Sequence, residues 1–126
     1  MNVLLIVSAI AGFASAIGHS YLSERFVLRP LFVEPQGVLK VAATRRITRA
    51  VWHLPSFAWT QVAAATLWLA LSPQALDANA QALLVYFGVG IYATAALYNA
   101  LGLRRPHVGN ILLTIAALTL WFGIYG

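Results

Sequence analysis

The chain contains no cysteine, which removes disulfides, thiolate metal sites and thiol nucleophiles from its chemistry. Acid is nearly as scarce. Glu24, Glu34 and Asp77 are the only carboxylates, and they lie far apart in the sequence, so no acid pair suggests general acid–base work. Charged residues make up 9% of the chain, against about a quarter in an ordinary soluble domain. No glycine-rich phosphate loop and no nucleophile elbow is present. His19, Ser20 and Glu24 can be written down as a triad, but adjacent helical residues point about 100° apart, so His19 is badly placed to activate Ser20. No residue is therefore assigned a catalytic role. Ion-coupled transport is also disfavoured, because the long apolar runs contain no Asp, Glu, Lys or Arg and their most polar mid-depth residue is Gln61.

What the sequence has in quantity is apolar surface, at 61% of residues. Four runs are long enough to cross a bilayer, which takes about 20 residues of helix. They predict helices over about 3–28, 50–71, 80–103 and 107–125. Pro30 is expected to end the first, because proline biases its predecessor away from helix. Ala14-Ser15-Ala16 resembles a signal-peptide cleavage site, but no Lys or Arg stands between Met1 and the apolar run, and a membrane helix is expected instead. Between Val38 and Arg49, apolar positions alternate with Lys40, Arg45, Arg46 and Arg49. That pattern predicts an amphipathic segment, 38–49, lying in the headgroup region. Small residues four apart in the first span (Ser8, Gly12, Ala16, Ser20) form the kind of stripe through which membrane helices pack closely. The predicted fold is all-α: an antiparallel four-helix transmembrane bundle in one domain, with an interfacial segment after helix one.

Charge sets the expected topology. All eight Lys and Arg residues fall at the junctions of helices one with two and three with four, and none in the loop from Ser72 to Asn79. The positive-inside rule puts both basic junctions in the cytoplasm and both termini outside it. The net charge of +5 does not indicate nucleic acid, since no binding motif accompanies it and the bases flank apolar spans.

A polar residue recurs about one turn inside each charged boundary. His19 lies five positions before Glu24, His53 four after Arg49, Asn99 five before Arg104 and Asn110 five after Arg105. At 1.5 Å per residue all four sit about 6–8 Å inward, with His107 shallower at about 3 Å. Imidazoles from three helices suggest a haem or a metal ion held by His19, His53 and His107. No two histidines share a helix, so no ligand spacing supports a metal directly. A quinone or lipid headgroup bound by His19, His53, Asn99, His107 and Asn110 is a second reading, and a purely structural hydrogen-bonded layer is a third. Arg45, Arg46, Arg49, Arg104 and Arg105 either fix orientation alone or bind the phosphate of a lipid.

Gly18-His19-Ser20-x-Leu22-x-Glu24-Arg25, followed by Leu28-Arg29-Pro30-Leu31 and then Val51-Trp52-His53-Leu54, resembles a pattern in small four-helix bacterial inner-membrane proteins. The likeness covers the first half of the chain. It implies fold and location, and it brings no activity with it. The expected function is binding of a cofactor, quinone or lipid headgroup at the cytoplasmic side of the inner membrane. The alternative is a non-catalytic accessory subunit that docks other membrane subunits or a second copy of itself.

Overall fold

The structure is a computed structural model that describes residues 2–105 and 107–126. Among these residues it is helical throughout, with no strand. Four helices are long and apolar enough to cross a membrane: α1 (Val3–Val33), α2 (Ala42–Leu71), α3 (Ala78–Leu103) and α4 (Val108–Tyr125).

Helix α1 begins where the Asn2 side chain accepts from the Leu4 and Leu5 amides, at 3.1 and 3.3 Å. These amides have no intrahelical partner, and an Asn cap supplies one. The Asn2 amide also donates to the Gly123 carbonyl, tying the start of α1 to the end of α4. The helix does not stop before Pro30. It loosens into a π turn over Glu24–Leu28, where the Arg29 amide reaches the Glu24 carbonyl, and then runs on to Val33. Proline cannot donate to the carbonyl four residues back. The wider turn immediately before it changes the bonding pattern just where that donor is missing, so Pro30 enters at the first turn of the continuing helix.

The segment expected to lie in the headgroup plane is different as well. A single 3-10 turn, Gly37–Lys40, is followed by one unbroken helix from Ala42 to Leu71. Nothing between Ala42 and Arg49 breaks a helix, so these residues form the first turns of α2. Arg45 closes the junction by donating from its guanidinium to the carbonyls of Leu39 and Lys40, at 2.7 and 2.8 Å. Asp77 caps α3 through the Ala80 amide at 2.8 Å.

Helix α1 packs against α2 and α4, and α3 packs on α4 with its loosest neighbour in α2. Small side chains make these contacts. Ser8, Ala9, Gly12, Ala16, Ala63, Ala70, Ala116 and Ala117 are buried. Gly12 lies against the Tyr92 hydroxyl and Ala63, too close to accept a Cβ. Buried hydroxyls are satisfied locally or across the packing: Ser15 donates to the Ala11 carbonyl, Thr66 to Val62, and Ser8 to Ala116 on the neighbouring helix. Many bulky residues point the other way. Ile17, Tyr86 and Tyr98 are 70%, 76% and 70% exposed, so many large apolar side chains lie outside, although Trp59, Tyr92, Leu113 and Leu120 are buried among the small ones.

Candidate functional site

Two reciprocal pairs tie α1 to α2 near their charged ends. His19 Nδ1 lies 3.0 Å from Ser56 Oγ, and Ser20 Oγ lies 3.0 Å from His53 Nδ1. Adjacent positions on α1 point about 100° apart, whereas positions i and i+3 on α2 share a face. Each imidazole therefore meets a hydroxyl on the facing helix, and a hydroxyl can donate or accept, which suits either tautomer. The Trp59 ring, one turn beyond Ser56, meets the His19 ring edge to face at 5.1 Å. That contact fixes the plane of His19.

One turn outward, Glu24 gathers the charges. Its carboxylate lies 3.2 Å from Arg49, 3.6 Å from Arg29 and 3.7 Å from His53 Nε2. The pair with Arg29 depends on the π turn. Positions five apart would diverge on an α-helix, but the i→i+5 bond of a π turn stacks them. The Arg49 guanidinium also sits 5.2 Å from the centre of the Phe32 ring.

The other side of His19 opens on a cavity of about 600 Å³ formed between the four helices. Its polar lining is His19, Asn99, Arg105 and His107 with Ser15 and Ser23, while Trp52, Trp59, Leu22, Phe26 and Leu113 make it apolar elsewhere. His107 is the N-cap of α4, and its Nδ1 accepts from the Gly109 amide at 3.1 Å. A neutral imidazole that accepts at Nδ1 carries its proton on Nε2, so His107 presents a donor there. The Asn99 amide nitrogen approaches the same Gly109. The cavity thus combines hydrogen-bond donors with aromatic walls.

The residues expected in one polar layer are divided. His19, Asn99 and His107 line the large cavity. His53 lines a separate cleft of about 320 Å³ along the α1–α2 contact, shared with Ser20, Ser56 and Thr60. Asn110 joins neither, and its buried Oδ1 has no hydrogen-bond partner. His19, His53 and His107 do not gather into a metal centre. Among the described residues no group of three or more His, Asp and Glu side chains is placed to hold a metal ion. A bis-histidine haem does not fit either, because His53 turns Nε2 to Glu24 and lines a different space from His19. The five arginines also separate. Arg45, Arg46 and Arg49 share an open groove of about 480 Å³ with Phe32, Ala42 and Ala50. Arg104 takes a left-handed backbone, φ 50°, at the end of α3, and Arg105 lines the inner cavity.

Sequence reasoning missed Ser20 as the partner of His53, and Trp52 and Trp59 as walls of the cavity. The spacing His53-x-x-Ser56 opposite His19-Ser20 carried a usable signal for the reciprocal pairs. Comparison with protein-family models, with curated proteins and with solved structures finds no match to this chain.

Proposed function

We propose that this chain is a multi-pass membrane protein that binds the headgroup of a membrane-soluble amphiphile, a quinone or a lipid, in the cavity beside His19. The observation carrying this reading is the cavity itself, with its donors His19, Asn99, His107 and Arg105 beside aromatic and aliphatic walls. Such a lining suits a ligand with a polar head and an apolar body.

A membrane setting is supported by the inverted distribution of side-chain size. Small residues make many of the helix contacts and a large number of bulky apolar side chains face out, which is how helices associate when the surroundings are as apolar as leucine. In water, the same surface would be a large exposed apolar patch. On this reading the four helices form an antiparallel transmembrane bundle in a bacterial inner membrane. The basic junctions, and the cavity near them, then lie at the cytoplasmic side, with both termini outside. The Arg45–Arg46–Arg49 groove is suited to a lipid phosphate at headgroup level, which makes membrane lipids the expected partners there.

Protein extracted in mild detergent is expected to carry a quinone or lipid that organic extraction and mass spectrometry can identify. Combining His19→Ala with Asn99→Ala is expected to lose it. A preparation free of such a ligand, or one whose bound species is the same in kind and amount after both substitutions, would overturn the reading.

A further inference from the structure

The cavity beside His19 has a neighbour that nothing above uses. Between α2 and α3 lies a groove of about 610 Å³, whose lining includes Pro55, Ala58 and Trp59 on one side and Gly90, Thr94 and Ala95 on the other. The two helices touch where the Tyr92 hydroxyl donates to the Trp59 carbonyl at 3.3 Å and where Gly88 meets Val62. The groove's outer walls, Tyr86 and Phe87, are among the most exposed residues of the molecule. Nothing lies within 4 Å of where a Cβ on Gly90 would be, so the groove stays open there.

Groove and cavity adjoin in two ways. Trp59 lines both. On α3 the groove residue Ala95 stands four positions before the cavity residue Asn99, on one stripe of the helix. From Ala95 the groove continues along α3 to Tyr86, about 14 Å at the rise of a helix, leading away from the charged end.

We infer that this groove carries the apolar chain of the ligand whose head occupies the cavity, and that the ligand is a ring-headed, carbonyl-bearing amphiphile with one long chain, of the prenylquinone class. The inference rests on the binding function proposed above and adds the ligand's chemistry and its path. Two features select the class. The donors His107 Nε2–H, the Asn99 amide and Arg105 can each reach a carbonyl acceptor on a flat ring that Trp52 and Trp59 can wall. Among the clefts formed by the described residues, this groove shares a lining residue with the cavity and the clefts at Arg45–Arg49 and at His53 do not, which suits one chain, whereas a diacyl lipid brings two. The groove adds little attraction of its own, because the surrounding lipid is as apolar as its walls. Its role is steric: with the groove filled, the chain loses the path that adjoins the cavity at Trp59 and along the Ala95–Asn99 stripe.

The test uses full-length protein in nanodiscs made from quinone-free phosphatidylcholine, with quenching of tryptophan fluorescence as readout. The probes are one benzoquinone ring bearing a single isoprene unit and the same ring bearing a decaprenyl chain. Wild type is expected to bind both. Gly90→Phe, and independently Thr94→Phe at another exposed groove position, should weaken the long-chain probe at least about tenfold and leave the short-chain probe within about twofold. His19→Ala should weaken both. Equal weakening of the two probes by both groove variants, or no effect on the long chain by either, overturns the path through the groove. Displacement of the short-chain probe by phosphatidylglycerol overturns the ligand class. Failure of wild type to bind either quinone removes the class, and with no lipid bound either it removes the underlying function as well.

Discussion

At the scale of single residues, the two imidazole contacts are separate: His19 has its own pair, and His53 alone also faces Glu24. His19 answers Ser56, and His53 answers Ser20. A double-mutant cycle over His19→Ala and Ser56→Ala is expected to show a coupling of about 0.6–2 kcal/mol, the range found for interhelical bonds in membranes. His19→Ala and Asn110→Ala should instead add, because no bond joins them. Unfolding in mixed micelles measures both, and a coupling as large for the second pair as for the first would count against the separation. Glycines make a sharper contrast. A Cβ at Gly12 collides with the Tyr92 hydroxyl and sits 3.0 Å from the Ala63 Cβ, whereas one at Gly18 meets nothing within 4 Å. Gly12→Ala is therefore expected to destabilise by about 1–3 kcal/mol, the usual cost of overpacking. Gly18→Ala should be neutral or stabilising by up to about 1 kcal/mol through helix propensity. Reversal of that order in thermal melts would mean α1 packs on another face.

Among the elements, the π turn of α1 has the clearest consequence. It carries the helix through Pro30 and stacks Arg29 on Glu24, so that one carboxylate serves Arg29, Arg49 and His53. The arginine partners are half or more exposed, so the ion pairs are screened by solvent. Glu24→Gln should cost no more than about 1 kcal/mol, and the difference from wild type should shrink as salt is raised. An effect well above that, unchanged by salt, would show that Glu24 acts through something other than these pairs.

For the whole molecule, orientation is the governing property. The loop from Ser72 to Asn79 has no base, while the junctions on either side of its helices hold all eight. Both Asn79 and Gln36 are exposed, so either accepts a cysteine without disturbing the packing. In intact cells a cysteine at Asn79 is expected to react with an impermeant maleimide, and one at Gln36 to react only after the membrane is opened. The opposite pattern would invert the bundle and move the cavity beside His19 to the other face.

The sequence by itself determined the number of long apolar helices, which of their ends carry the charge and the absence of thiol chemistry. These follow from local quantities, the length of an apolar run and the residues at its ends, which hold whatever the helices later touch. It also marked the depth of His19, His53, Asn99, His107 and Asn110, because rise per residue is fixed. It could not give their partners. Direction around a helix changes by about 100° per residue, so a small rotation of one helix against another changes which side chains meet, and the π turn at Glu24–Leu28 does the same for Arg29 within α1. Position along the chain therefore set each side chain's distance from the nearest charge, and only the rotation and pairing of the helices decided the rest. That rotation turned His19 and His53 to different spaces beside the α1–α2 contact, turned His107 into a cap, left Asn110 apart, and opened the cavity and its neighbouring groove, both lined by Trp59.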